Sequence, residues 1–495
     1  MIEGTGWIMD RIRLSPRREA VIDISSGDKW TYADLKERIL RWTAFFNENG
    51  YPQGERVAVL APNQPDLFAL LFACEVQGLL FVPLNWRLHQ AELQVLLRDC
   101  EPVVLLFDRQ FESLVQQTGF SETMPLTIVE ETDVLLKCPD STIYEGDESP
   151  WMMLYTGGTT GAPKGVVLSK KAVNWNALNT IASWGLTEED RTINYMPLFH
   201  TGGLNALSIP ILMAGGTVVL GRQFDEEEAL RATNRYEATI SLFVPTMYQA
   251  IIQTPYFQQA SFPSMKVFLS GGAPCPHAIY EAFQHKGVSF KEGYGLTEAG
   301  PNNFFIRPEV ACQKIGSVGK SMLFNQVQVV NEQGKRCRTG EVGELCVKGP
   351  HLFSGYWRKP EETAAAIQSG WLRTGDLAKM DEDGDHFIVG RKKELIITGG
   401  ENVYPQEVEQ YLLRMAGIRE AVVIGLDDDK WGEVVVAYLT LRDGATVTEE
   451  DVIAHCKKAL GGFKVPKEVH FLEALPTTPV GKIDKKALQK SVRSV

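Results

Sequence analysis

The sequence predicts an α/β protein in two parts: a large, multi-subdomain N-terminal region with parallel-rich sheets over residues 1–390, and a small C-terminal α/β domain over residues 391–495. Three observations lead there. At 495 residues the chain is too long for one compact core. Through roughly the first 380 residues, short β-branched or apolar runs alternate with longer amphipathic segments, the mark of βαβ units with parallel strands. Beyond Gly349 the composition shifts to turns and short strands, and a second α/β unit follows.

The elements can be taken in order. RVAVLA reads as a strand, followed by a helical stretch to VQGLL, the strand FVPL, the helix HQAELQVLLRD and the strand VVLLF. The same rhythm returns at GGTVVLG, ATISLFV and MKVFLSGG. DEDG at 381–384, between LAKM and HFIV, reads as a hairpin turn. EVEQYLLRM and EEDVIAHCKKAL then have helical spacing, and EAVVIGL and EVVVAYLTL are strands. The domain boundary is expected at Gly390-Arg391. No repeat of solenoid period and no low-complexity tract interrupts the pattern.

Composition excludes several classes. Lys and Arg number 50 against 62 Asp and Glu, a formal net charge of −12, so no global positive field exists to hold nucleic acid. The eight cysteines, Cys74, Cys100, Cys138, Cys275, Cys312, Cys337, Cys346 and Cys456, form no CxxC or CxxH pair, which argues against a zinc cage or a disulfide framework. Reduced thiols suit a cytoplasmic protein. The N-terminus has no uninterrupted apolar segment and does not read as a secretory signal. The longest apolar stretch, Leu67 to Leu84, contains Glu75, Gln77, Gly78 and Pro83, so no membrane span is expected.

The densest chemical signal is Tyr155-Thr-Gly-Gly-Thr-Thr-Gly-Ala-Pro-Lys-Gly165. Thr156, Gly157, Gly158, Thr159, Thr160, Gly161 and Lys164 offer backbone N–H groups, hydroxyls and a cation, the groups that wrap a polyphosphate. It is not a Walker A loop, because Lys164 follows proline and no Ser or Thr comes next. Further motifs follow in order: Gly293-Tyr-Gly-Leu-Thr-Glu298, Thr374-Gly-Asp376, Gly390-Arg-Lys-Lys-Glu-Leu-Ile-Ile-Thr-Gly-Gly-Glu-Asn402 and Pro479-Val-Gly-Lys482.

On these five motifs the chain resembles, over essentially its whole length, the adenylate-forming superfamily of acyl-CoA synthetases, firefly luciferases and peptide-synthetase adenylation domains. One departure is Gly158, where the family usually has Ser, leaving more of the phosphate binding to Thr159 and Thr160. The resemblance implies ATP, Mg²⁺ and coenzyme A as cofactor and co-substrates, and a C-terminal domain that rotates. It places Tyr294 against the adenine with Gly293 and Gly295, Gly271, Gly272 and Ala273 at the adenine edge, Thr297 on the α-phosphate and Glu298 on Mg²⁺. Asp376 and Arg391 are implied to meet the ribose, and Lys482 to offer its cation as pyrophosphate leaves. Lys393 is implied as the pivot of the rotation, Gly399, Gly400 and Glu401 as the lining of the pantetheine channel, and Lys464 as a contact to the nucleotide of coenzyme A.

His200, in Tyr195-Met-Pro-Leu-Phe-His-Thr-Gly-Gly203, matches the position where acyl- and aryl-CoA ligases carry an aromatic residue beside the acyl pocket. The Asp with which amino-acid-activating relatives meet an amino group is missing. FVPTMYQAI, SGGAPC and EAGPNNFF supply few fixed charges, so an apolar acid is expected. The expectation is therefore an AMP-forming acid–thiol ligase of fatty acid metabolism for a medium- or long-chain fatty acid. The alternatives are an o-succinylbenzoate or aryl-acid ligase, or an acyl-AMP ligase loading a carrier protein. A homodimer and peripheral contact with a membrane surface are further expectations.

Overall fold

The computed structural model describes residues 6–126, 148–157, 163–476 and 483–492. Among them are three seven-stranded sheets and a smaller five-stranded one. Runs such as VAVL and VLLF are wholly apolar because the strands Arg56–Leu60 and Val104–Phe107 lie inside a mostly parallel sheet covered on both faces. The helix Asp66–Gln77 beside them is buried nearly all round and stops at Gly78, whose φ of 68° suits glycine. Tyr32–Glu48 begins with a capping box in which Thr31 and Asp34 satisfy each other's backbone N–H groups.

A second sheet runs in the order Phe290–Glu292, Val267–Ser270, Ile240–Phe243, Arg191–Asn194, Thr217–Leu220, Glu19–Asp23, with Lys29–Thr31 at its edge. All neighbours pair in parallel except the last two. One face carries an aromatic cluster in which Tyr248, Phe268, Phe283 and Phe290 are fully buried, with Phe283 and Phe290 centred 4.8 Å apart. The other faces the main core around Trp42, Phe68, Phe72 and Trp151.

The third sheet departs from the parallel rhythm. Its strands from Phe304 to Arg391 pair antiparallel throughout, because they are joined by hairpins and not by crossover helices. The expected 381–384 turn is there, between Trp371–Met380 and His386–Arg391. Lys314 draws together Asp381, Asp383 and Asp385 around it, at 2.6, 2.7 and 2.6 Å. Pro360–Ala366 is a helix in a stretch expected to hold turns and short strands.

After the turn Lys392–Glu394 the chain builds the five-stranded sheet, with Gly432–Leu441 at its centre, its hairpin partner Ile418–Asp428 at one edge and helices Pro405–Leu412 and Glu449–Lys457 packed against it. No described helix is long and apolar enough to cross a membrane.

Candidate active site

Two parallel strands end side by side, Ser270 opposite Glu292, and each turns at once into a glycine loop. Gly293 N–H donates to the Ser270 carbonyl at 2.8 Å and Gly271 N–H to that of Phe243 at 3.3 Å, so the loops Gly271-Gly272-Ala273 and Gly293-Tyr294-Gly295 leave the same sheet edge together. Open α/β sheets bind ligands at such carboxyl ends. A side chain at Gly295 would lie 2.2 Å from the carbonyl carbon of Pro301, so only glycine lets the backbone fold back there. Beneath the first loop, Glu292 accepts from the Cys275 N–H at 3.1 Å and the Tyr280 hydroxyl at 2.8 Å. Burial raises its carboxyl to about 7.

From this edge the Tyr294 hydroxyl donates to Asp376 Oδ2 at 2.5 Å, and Arg391 Nε meets Asp376 Oδ1 at 2.6 Å. Asp376 and Arg391 are cross-strand partners, which brings residues far apart in sequence to one point. The Asp376 backbone N–H donates to Thr374 Oγ1 at 3.0 Å, and that hydroxyl donates to the Leu345 carbonyl at 2.7 Å. Burial lifts the Asp376 carboxyl above its usual range, against the pull of Arg391 and the Tyr294 hydroxyl.

Thr297 and Glu298 open a single 3₁₀ turn beside the second loop, Thr297 buried and Glu298 half-buried. Glu298 Oε1 accepts from the Tyr356 hydroxyl at 2.9 Å. A half-buried carboxylate at a sheet edge, next to a candidate phosphate loop, is the hard oxygen donor that Mg²⁺ takes, so the residues present fit that ion.

Thr156 and Lys164 are the last cross-strand pair of the hairpin Pro150–Thr156/Lys164–Ser169, and Gly157 is exposed just beyond it. Gly158, Thr159, Thr160 and Gly161 lie outside the described residues. The Lys164 ammonium pairs with Glu362 and lies 4.9 Å from the centre of the Tyr356 ring.

His200 caps the short helix Thr201–Leu204, its Nδ1 accepting from Gly202 N–H at 3.1 Å. Beside it, residues including Asn194, Gly203, Ser208 and Leu242 line a crevice too narrow to hold a water molecule. Phe243 and Val244 were expected near the acid; Phe243 packs into the aromatic cluster.

At the domain junction, Lys393 is exposed in the turn Lys392–Glu394, while Glu394 is tied to Lys485 at 2.9 Å. Lys485 also meets Glu409 at 3.2 Å. Lys482 lies outside the described residues, but its flanks are joined by the Asp484 N–H donating to the Pro476 carbonyl at 2.8 Å. Gly399 and Gly400, with φ of 58° and 83°, form the two-residue turn between Thr398 and Glu401, where a primed hairpin turn needs positive φ. The strand Glu401–Val403 packs against the turn Gly462–Lys464, and Lys464 pairs with Glu407 at 2.6 Å.

The structure thus joins Tyr294, Asp376 and Arg391 directly, and Lys164 and Glu298 through Tyr356. It sets Gly399, Gly400, Glu401 and Lys464 together on the small domain. Sequence reasoning missed Tyr356 and Glu362. Pro360 at a helix start was a signal for the segment bearing Glu362; the pairing with Lys164 had none.

Comparison with known proteins agrees with this geometry. Residues 9–357 match the family described as AMP-binding enzyme, and residues 407–482 match the AMP-binding enzyme C-terminal domain. The chain is 37% identical over 482 residues to a feruloyl-CoA synthase of Amycolatopsis, covering 97% of each. It is 32% identical to the long-chain-fatty-acid–CoA ligase FadD13 of Mycobacterium tuberculosis, covering 99% of this chain and 98% of the other. Its fold superposes on the o-succinylbenzoate CoA synthetase of Bacillus subtilis, solved with its acyl-adenylate intermediate, with a TM-score of 0.89, 30% identity and coverage of 99% and 98%.

Proposed function

Since the chain belongs to the AMP-binding enzyme family and is an AMP-forming acid–thiol ligase, we propose that it converts a compact apolar monocarboxylic acid to its acyl-adenylate and then to the CoA thioester. The observation that carries the reading is the meeting of Tyr294, Asp376 and Arg391 at the carboxyl edge of a parallel sheet. A carboxylate and a guanidinium there suit a ribose diol, and an aromatic ring suits a base.

In the first half-reaction an oxygen of the acid attacks the α-phosphorus and pyrophosphate leaves. In the second, the thiol sulfur attacks the acyl carbonyl, its proton is lost and AMP leaves. No protein nucleophile is needed, so the chain's part is positioning and charge stabilisation. Thr297 meets the α-phosphate, Thr156, Gly157 and Lys164 the outer phosphates, and Lys482 the charge that grows as pyrophosphate departs. Magnesium, held by Glu298 when bound, neutralises phosphate charge. Lys393 is the pivot at a boundary placed at residues 390–391. Rotation about it withdraws Lys482 and brings Gly399, Gly400 and Glu401 over the acyl carbonyl, with Lys464 toward the coenzyme A nucleotide.

The acid is proposed to lie beside His200, as the resemblance at that position implies. The aromatic cluster fills the far side of the neighbouring sheet, which supports an acyl site that does not extend through it. A medium-length alkyl acid is the first reading. A single-ring aryl acid is the second, supported by the feruloyl-CoA synthase relative. CoA-dependent AMP release from octanoate, palmitate, ferulate and benzoate tests both. Octanoate or a ring acid should lead, and preference for palmitate would refute the compact acid.

A further inference from the structure

Lys164 and Glu298 come from segments more than 130 residues apart, and a third segment, residues 355–366, touches both. Gly355–Tyr356 is a short strand paired antiparallel with the strand that starts at Lys164, Tyr356 opposite Val166. Lys164 is two residues from Val166, hence on the same face and diagonal to Tyr356. The Tyr356 ring lies 4.9 Å from the ammonium, while its hydroxyl reaches Glu298 at 2.9 Å. Its backbone N–H donates to Thr363 Oγ1 at 2.9 Å, locking the strand onto the helix Pro360–Ala366. From that helix Glu362 pairs with Lys164 and, at 3.4 Å, with Lys359.

The arrangement gives the lysine an anionic partner where outer phosphates are proposed to sit. It also gives that partner a second cation, so Lys164 can leave without stranding a carboxylate. We propose that Glu362 is a surrogate for the ATP polyphosphate, holding Lys164 in place until nucleotide displaces it, and that Tyr356 is the positioning residue that keeps Glu298 aimed at the metal. The inference rests on the function proposed above. Ligand exchange then costs little: Lys164 moves from carboxylate to phosphate, Glu362 turns to Lys359, and the Tyr356–Glu298 hydrogen bond persists.

Equilibrium binding of ATP and AMP, each with and without Mg²⁺, tests this in the wild type, Glu362→Gln and Tyr356→Phe, with thermal melts to show folding. Glu362→Gln should tighten ATP about two- to fivefold, the range for a partly exposed pair, and leave AMP, which lacks the outer phosphates, unchanged. Tyr356→Phe should cut the Mg²⁺-induced gain in ATP affinity about tenfold while leaving Mg²⁺-free ATP binding intact. Weaker or unchanged ATP binding in Glu362→Gln, an equal shift for AMP, or an unaltered Mg²⁺ gain in Tyr356→Phe would overturn the proposal. A wild type that binds ATP and exchanges pyrophosphate alongside such variants would leave the ligase reading standing; failure of the wild type itself would strike the reading instead.

Discussion

Asp376 and Arg391 face each other across antiparallel strands, carboxylate to guanidinium at 2.6 Å, one residue before the chain enters the turn 392–394. The proposed ribose contact and the start of the proposed pivot are therefore one structural unit. Asp376→Asn should weaken ATP and AMP alike, by about tenfold or more, since each loses a charge-assisted hydrogen bond to the same diol. Titration of both nucleotides checks it, and a loss confined to ATP would place Asp376 on the phosphates.

Lys164→Ala should weaken productive ATP binding and slow ATP–pyrophosphate exchange, while thioester formation from supplied acyl-adenylate continues. Unchanged exchange would remove the loop from the polyphosphate site.

His200 is proposed to lie beside the acid, so His200→Ala should change acid preference far more than the apparent affinity for ATP. Rates over an acid series, each at several ATP concentrations, separate the two effects.

The half-reactions should separate between Lys482 and Lys393. Lys482→Ala should lose about 10² to 10⁴ in adenylation, the range for one electrostatic stabiliser, and keep thioester formation from supplied adenylate. Lys393→Pro, which fixes φ near −65°, should do the reverse. Damage to the same step in both would exclude the two-conformation cycle.

His351 is buried with Nε2 2.9 Å from Asn303 Oδ1, and burial lowers its pKa from 6.5 to about 4. The native state refuses a proton that the unfolded chain accepts below 6.5, so stability is lost as the pH falls from 6.5 toward 4. Relative to His351→Asn, the wild type should lose about 2 kcal/mol between about pH 7 and about pH 5. Urea melts at the two pH values measure the difference.

The meeting of Tyr294, Asp376 and Arg391 ends local patterns, and the sequence singled out the three residues only through the resemblance. Tyr294 follows a strand and a glycine turn, and Asp376 and Arg391 flank a turn marked by DEDG, so their meeting needed only the hairpin to close. Tyr356 and Glu362 were illegible because their partners come from other segments; nothing in GYWRKPEET encodes an ion pair with Lys164. ISLF is apolar at three of four positions, and no alternation marks which of Leu242 and Phe243 enters the aromatic cluster. The antiparallel sheet was missed for a related reason: GELCVK and WLRTGDLAKM look alike whichever way they pair.

The tether of Lys485 to Glu394 and Glu409 bears on the segment 477–482 between its two fastened ends. A tail free at one end would search a large volume before its lysine met a nucleotide. With Pro476 joined to Asp484, the two ends are held together and the entropy of bringing them together has already been spent in folding. Because Lys485 is anchored on the glutamate inside the turn, a swing of that turn would pull the C-terminal helix with it as a crank pulls its pin. In the proposed cycle, Lys482 withdrawal would then keep time with the swing. Cutting the tether with Lys485→Ala would let the two motions slip.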